Sequence, residues 1–161
     1  AVNSALAIEQ IRLLLPKRID ILPFTKATSF DNDLIPDGIE VVLRPLDAFG
    51  DQTKAIGRFR FLLYQFRKAS PDPRGELLAT WEVALDNQEA QNLHWDHITR
   101  TYRFRLAWTG QTPKLGKYVL DVVYLSPWAD RIEATSMLEL QVPRAELKER
   151  AEKKRQGFPI F

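Results

Sequence analysis

The sequence predicts an all-β domain, an antiparallel β-sandwich of about seven strands with a short helix near each end. Seven stretches of the chain alternate apolar and polar residues with the period of two that half-buried strands show. Turn-forming residues separate these stretches, and no long amphipathic helix lies between them, which favours a sandwich over alternating strands and helices. The odd number of strands and their open alternation favour two packed sheets.

The composition is that of a single globular domain. The chain has 161 residues, of which 45% are hydrophobic and 27% charged, and these values argue against disorder. Its net charge of +2 creates no field that would attract nucleic acid, so no nucleic-acid partner is expected. The absence of cysteine excludes disulfides, thiolate zinc sites and cysteine nucleophiles. No apolar run reaches the roughly 20 residues of a transmembrane helix, and a lipid anchor upstream of the observed chain stays an open alternative.

The alternation divides the chain into three segments. Residues 1–16 are rich in leucine and isoleucine and end at Pro16, which predicts a helical or extended leader. Residues 17–142 contain the strands of the sandwich. Residues 143–161 begin with a proline and hold many charges, which predicts a solvated C-terminal helix followed by an apolar tail.

The clearest of the predicted strands is 56–66, in which Phe59, Phe61 and Leu63 share one face. Its second half, 62–66, is apolar on both faces, which predicts a central strand or one covered by a terminal helix. The complete set of predicted strands is 18–22, 38–44, 56–66, 77–85, 101–108, 116–124 and 131–142.

Other segments predict turns and core positions. Residues 26–38 are rich in Asp, Asn, Ser and Pro and predict a loop. Residues 86–92 predict one helical turn capped by Asp86. Trp81 and Trp108 fall on the apolar phase of their strands, so we expect them in the core.

Residues 115–122, with the pattern G-x-Y-x-L-x-V from Gly116 to Val122, resemble the start of the penultimate strand of immunoglobulin-like sandwich modules. In those modules the tyrosine hydroxyl bonds back to the preceding loop, so the resemblance implies such a bond for Tyr118. The chain lacks the cysteine pair of antibody domains, so it resembles only the broader group.

A wider resemblance rests on the strand 37–43, the turn 47–54 and the strand that holds Trp81. In these features the chain is similar to immunoglobulin-like or transthyretin-like domains of bacterial surface and periplasmic lipoproteins. That resemblance implies an extracytoplasmic location, in the periplasm or at the cell surface. It implies no activity.

The cluster His94-Trp95-Asp96-His97 holds both histidines of the chain. A transition metal needs three or four converging ligands, and histidines three apart converge on a helix but point to opposite sides of a strand. Carboxylates such as that of Asp96 would have to complete the site. One hypothesis is therefore a metal site at His94, His97 and Asp96, and the alternative is a polar turn with Trp95 packed into the core. No cofactor is otherwise indicated.

Two further tryptophans suggest a ligand platform, because Trp95 and Trp128 lie in predicted loops. Exposed tryptophan and tyrosine side chains on a sandwich can stack on sugar rings. With Tyr124 and Pro127 nearby, Trp128 is predicted to form part of a ligand-binding surface. The alternative is a loop aromatic folded back over the edge of the core.

Arginines recur on the polar phase of two strands, at Arg58 and Arg60 and again at Arg103 and Arg105. If the two strands were neighbours, these side chains would form a basic stripe. The alternative is a set of ion pairs across strands with Glu40, Glu82, Asp121 or Glu139.

The leading hypothesis for function is a non-enzymatic binding or structural module that contacts a protein or a glycan. The rival hypothesis is a metal-dependent enzyme or binder centred on the turn at 94–97. A third is an assembly component in which the segment 143–161 docks a partner.

Overall fold

Two antiparallel sheets pack face to face in the computed structural model, which describes residues 2–31, 36–110 and 113–140. The first sheet has the order β1-β3-β7-β6, with β2 also paired to β3, and the second has the order β5-β4-β8-β9. The prediction of a mostly β, antiparallel fold of two packed sheets is confirmed. In chain order the elements are α1 (Val2–Leu14), β1 (Arg18–Ile21), β2 (Lys26–Thr28), β3 (Gly38–Leu46), β4 (Gly57–Phe66), β5 (Arg74–Leu85), α2 (Gln88–His94), β6 (Trp95–Asp96), β7 (Thr101–Ala107), β8 (Gly116–Leu125) and β9 (Ile132–Leu140).

The seven predicted strands are all present, and two short strands add to them. Within the described ranges, the observed bounds differ from the predicted ones by no more than three residues. β2 lies inside the segment predicted as a loop, where its three residues pair with the start of β3, while β1 pairs with the end of β3. β6 has two residues, which pair with the start of β7. Both are too short to show a period of two, so the sequence pattern did not reveal them.

The structure decides between a helical and an extended leader, and it corrects the predicted cap of α2. The leader is helical from Val2 to Leu14. The cap of α2 is Asn87 and not Asp86, because the side chain of Asn87 accepts a 2.8 Å hydrogen bond from the backbone N–H of Ala90. The predicted C-terminal helix in 143–161, with its docking role, lies outside the described residues.

None of the helices in the described ranges is long and apolar enough to cross a membrane.

The core between the sheets is built from aromatic rings. Phe59 lies at its centre, with ring centroids 5.2 Å from Tyr124, 5.5 Å from Phe104 and 6.2 Å from Tyr102. These four rings and Phe61 are completely buried. The inward orientation predicted for Phe59, Phe61 and Leu63 is therefore confirmed, and β4 is central in its sheet, between β5 and β8.

Trp81 and Trp108 close one side of this core. Their rings lie 6.0 Å apart and are half-buried against the core residues. The indole N–H of Trp81, on β5, donates a 2.8 Å hydrogen bond to the carbonyl of Ala107, on β7, and so links the two sheets.

The arginines of β4 and β7 form no basic stripe, because these strands belong to different sheets. Three of the four form ion pairs, and the guanidinium of Arg105 lies 5.6 Å from the ring centroid of Phe30. Arg58 and Arg60 both approach Glu82, at 3.3 and 3.7 Å. Arg103 approaches Glu40 at 3.1 Å. The alternative of cross-strand ion pairs is confirmed for these residues.

Asp121 is bound by an arginine that the sequence did not single out. Arg74, on β5, donates two hydrogen bonds to its carboxylate, at 2.6 and 3.0 Å, and a third to the hydroxyl of Thr135 at 2.9 Å. Thr135 in turn donates to Asp121 at 2.7 Å. These bonds tie β5, β8 and β9 together across the outer face of the second sheet. Arg74 also lowers the pKa of Asp72 through hydrogen bonds from its backbone and side chain.

Tyr118 makes the hydrogen bond that the resemblance implied, since its hydroxyl donates to the carbonyl of Lys114. The bond fixes the turn that leads into β8.

A buried hydrogen-bond network centred on Tyr102 joins four parts of the chain. The Tyr102 hydroxyl accepts from the backbone N–H of Ala55 at 2.8 Å and donates to the side-chain carbonyl of Gln91 at 2.6 Å. The amide of Gln91 then donates to the carbonyls of Ala55, at 2.7 Å, and Leu85, at 3.1 Å. β7, the segment before β4, α2 and the end of β5 are thus held together. Burial is the largest cause of a pKa for Tyr102 raised to about 12.

Replacing Tyr102 by phenylalanine is expected to lower the free energy of unfolding by about 1–3 kcal/mol, because the substitution leaves buried polar groups of Ala55 and Gln91 without a partner. Denaturant unfolding measures this loss. The matched control is Tyr64→Phe, since within the described residues the half-buried Tyr64 hydroxyl makes no hydrogen bond. Equal losses in the two variants would contradict the role given to the network.

The same tyrosine predicts a loss of stability in alkali. Below about pH 10 the hydroxyl is protonated in both the folded and the unfolded state. Because the folded-state pKa of Tyr102 is about 12, the unfolded chain releases this proton first, and the free energy of unfolding falls between about pH 10 and pH 12. Denaturant unfolding across this range should show a steeper fall for the wild type than for Tyr102→Phe. Parallel curves would rule the explanation out.

Candidate functional site: the Trp128 groove

A groove of about 650 Å³ opens at the end of the second sheet where β5 and β8 end and β4 and β9 begin. Its volume is in the range of small-molecule sites, which is about 300–1,000 Å³. Its lining combines apolar and charged side chains, an arrangement suited to binding a ligand in a fixed orientation. We call it the Trp128 groove and define it by Ile56, Gly57, Arg58, Asp86, Leu125, Ser126, Pro127, Trp128 and Arg131.

Gly57 allows the floor of the groove to form. Its φ of +145° belongs to a region that residues with a side chain rarely adopt, and a Cβ there would lie 2.3 Å from the carbonyl oxygen of Leu125. Only glycine therefore lets the start of β4 approach the end of β8 this closely.

Buried tyrosines fix the wall formed by Ile56. The hydroxyl of Tyr124 donates a 2.6 Å hydrogen bond to the carbonyl of Ile56, and the preceding residue, Ala55, is held by Tyr102. The side chain of Ile56 is 51% exposed. The backbone of this wall is thus anchored in the core while its side chain is available to a ligand.

Tyr124, which was predicted to belong to a ligand-binding surface, lies beneath the groove, and its contact with a ligand stays a prediction. Tyr124 shares the inward phase of β8 with Tyr118, Leu120 and Val122, and it has no exposed surface. Its role is to support Ile56 from beneath. Burial is also the largest cause of its raised pKa.

Trp128 lies in the loop between β8 and β9, residues 126–131, and is 42% exposed at the groove. Its backbone N–H donates to the hydroxyl of Ser126 at 3.2 Å. Its carbonyl accepts a 2.8 Å hydrogen bond from the guanidinium of Arg12, at the end of α1. The loop is thus held at two points beside an accessible indole ring. That the ring binds a ligand stays a prediction.

Two arginines lie on either side of Leu125 in the groove. Arg58, on β4, pairs in register with Leu125 on β8, and Arg131 immediately precedes the β9 residue Ile132. The side chains of Arg58 and Arg131 are 62% and 58% exposed, and each contacts a glutamate. A guanidinium has five N–H donors, more than one carboxylate can use, so both arginines have donors to offer a ligand.

A smaller cavity of about 160 Å³ adjoins the Trp128 groove on the outer face of the second sheet. Arg131 lines both cavities. Tyr64, Asp121 and Thr135 also line the smaller one, so aromatic and polar side chains continue beyond the groove.

The turn at 94–97 has a different arrangement from the predicted metal site. The ring nitrogen Nδ1 of His94 lies 3.1 Å from the carbonyl of Arg103, and the His94 ring packs 4.8 Å from that of Phe104. Asp96 accepts hydrogen bonds from the backbone N–H groups of Ile98 and Thr99, which are the main cause of its lowered pKa.

The metal hypothesis gains no support from this geometry. His97 is exposed, and in residues 2–31, 36–110 and 113–140 no three His, Asp or Glu side chains are placed to share a metal ion. Trp95 packs against the core, with its ring 4.9 Å from that of Tyr102 and the Lys54 ammonium 5.4 Å from its centroid. This position matches the alternative of a polar turn with an inward tryptophan, and a metal at His94, His97 and Asp96 stays a prediction.

Sequence reasoning missed most of the groove. Ile56 and Arg131 were not assigned to a site, Asp86 was considered only as a helix cap, and Arg58 only for a basic stripe or cross-strand ion pairs. The groove depends on β4 and β9 both pairing with β8, which residue periodicity does not reveal. The signal that could have pointed to it is Gly57, an isolated glycine at the start of a strand with clear apolar–polar alternation.

Comparisons with protein-family models, with curated proteins and with solved structures found no match.

Substituting Gly57 by alanine is expected to lower the free energy of unfolding by at least about 3 kcal/mol, because the new Cβ adds a backbone clash to an unfavourable φ. The matched control is Gly50→Ala, at φ +81° in a turn with open space around it, which should cost only about 1–2 kcal/mol. Denaturant unfolding of both variants measures the difference. Similar costs would show that the close approach to Leu125 does not matter.

Proposed function

We propose that this protein is a non-enzymatic binding module that contacts a glycan or a protein through the Trp128 groove. The observation that carries the proposal is the half-exposed indole of Trp128 at a concave site with apolar walls and guanidinium donors. Flat aromatic rings supply contact area at little entropic cost, and tryptophan and arginine are the residues most enriched where binding energy concentrates.

The way the groove is supported favours binding over a purely structural role. Its wall at Ile56 is anchored by Tyr124, and its loop is held by Ser126 and Arg12. Exposed side chains on a fixed backbone are characteristic of a preorganised site, which loses little entropy when a ligand binds.

The proposal includes an immunoglobulin-like type for the sandwich. Support comes from the order β5-β4-β8-β9 packed on β1-β3-β7, and from the bond of Tyr118 to the carbonyl of Lys114. In such sandwiches the loops at one end of the sheets commonly carry the binding residues. An extracytoplasmic location, in the periplasm or at the cell surface, belongs to the same proposal and rests on the resemblance of the strand 37–43 and the turn 47–54.

Replacing Trp128 by alanine is expected to abolish ligand binding while changing the free energy of unfolding by no more than about 0.5 kcal/mol, since much of the ring is exposed. Binding is measured on a glycan array and on a peptide array with the wild type and the variant.

The control is Phe24→Ala, which removes an aromatic ring that is 65% exposed in the segment between β1 and β2, outside the groove. Ligands that bind the wild type should bind this control equally well. Ligands that bind Trp128→Ala as tightly as the wild type would place the binding site elsewhere.

A further inference from the structure

We infer that the ligand of the Trp128 groove is an oligosaccharide that carries a carboxylate group, with Arg58 and Arg131 binding the carboxylate and Trp128 stacking on a sugar ring. The inference rests on the proposed function and names the class of ligand.

The spacing of the two arginines suits a sugar ring that carries a carboxylate. Neighbouring strands lie about 4.8 Å apart, and β8 separates β4 from β9, so the backbones of Arg58 and Arg131 are about 10 Å apart on either side of Leu125. A sugar ring fits between two long side chains at this separation. The planar guanidinium group also matches the two oxygens of a carboxylate.

The charged side chains that line the groove favour an anionic ligand. Arg58 and Arg131 are the basic side chains that line the groove, and Asp86 is the acidic one. Arg58 contacts Glu82 at 3.3 Å, and Arg131 contacts Glu133 at 2.8 Å, both in exposed positions. Exposed ion pairs contribute little to stability, so the guanidinium groups can turn towards a ligand carboxylate at small cost.

The two adjoining cavities favour a ligand longer than one sugar ring. Arg131 joins the Trp128 groove to the smaller cavity that contains Tyr64. Along β4, Arg58 and Tyr64 are six residues apart, which corresponds to about 20 Å. A single ring cannot span this distance, whereas a short chain of sugar rings can contact Trp128, Arg131 and Tyr64 in turn.

The pairing of the strands beneath the groove favours a sugar chain over an extended peptide. Peptides often bind by adding a strand to a free sheet edge, where their backbone forms hydrogen bonds. The strands beneath the groove, β4 and β8, are each paired on both sides. At β4 and β8 the groove therefore offers side chains and not backbone groups, which suits sugar rings with hydroxyl and carboxylate groups.

The test uses isothermal titration of the folded protein with matched sugar chains. The probes are a tetramer of galacturonic acid, the same tetramer with all carboxyls methyl-esterified, and a tetramer containing glucuronic acid. We expect at least one acidic tetramer to bind, and we expect loss of the ligand charge to weaken binding by about tenfold or more, the usual effect of losing a charge-assisted hydrogen bond. Raising the salt concentration from about 0.05 M to about 0.5 M should also weaken it, because exposed charges are screened.

The variants separate the roles of the residues. Arg58→Gln and Arg131→Gln should each weaken binding of the acidic tetramer by about tenfold and weaken binding of the esterified tetramer by less. Trp128→Ala should weaken charged and uncharged chains alike. The control is Arg18→Gln, an exposed arginine on β1 that pairs with Asp20 outside the groove, and it should bind like the wild type. Thermal unfolding checks that each variant is folded.

The following results would contradict the inference, and each points to a different explanation. If the esterified tetramer binds as tightly as the acid, the ligand needs no charge, and if the arginine variants bind the acid normally, Arg58 and Arg131 do not bind its carboxylate; either result overturns the inference and leaves the proposed function standing. If a tetraglutamate peptide binds as tightly as the acidic sugars and needs the same arginines, the ligand is an acidic peptide. Failure of both acidic tetramers to bind overturns the inference, and unchanged binding by Trp128→Ala overturns the proposed function as well.

Discussion

The buried hydroxyl of Tyr102 is the interaction on which the end of the sandwich depends. The segment before β4 has to leave one sheet and enter the other, and on the way it buries backbone groups of Ala55 that no strand pairs. Tyr102 and Gln91 satisfy these groups, and Tyr124 satisfies the carbonyl of Ile56 next to them. Because unpaired buried polar groups are costly, the crossing is held in one conformation. The aromatic core therefore fixes the position of the groove as well as the packing of the sheets.

The charged residues on the outer face of the second sheet have different degrees of order. On the second sheet, Arg74 binds Asp121 through two hydrogen bonds and also contacts Thr135, so three strands are connected at one place. Arg58 and Arg131 are held more loosely, each by contacts to a single neighbouring glutamate. The first arrangement is typical of structural ion pairs and the second of side chains that can change partners.

The period of two in the sequence predicted those features of the strands that depend on residues close together in the chain. The inward phase of Phe59, Phe61 and Leu63 and the central place of β4 could be predicted because alternation along a strand reports burial directly. The groove could not, because it requires Ile56, Asp86 and Arg131 to meet through the pairing order of the strands. The position of Tyr124 beneath the groove could not be inferred from its nearness to Trp128 in the sequence, because that nearness says nothing about which side of β8 it occupies.

The short length of β6 leaves most of β7 at the edge of its sheet within the described residues. Beyond Tyr102, none of the strands in the described ranges pairs with β7 on that side, and such an edge can recruit strands from other molecules. Two side chains occupy backbone acceptors there, with Trp81 donating to the carbonyl of Ala107 and a ring nitrogen of His94 lying 3.1 Å from that of Arg103. Trp81 and His94 therefore occupy two of the backbone acceptors that a strand of another molecule would need to extend this sheet.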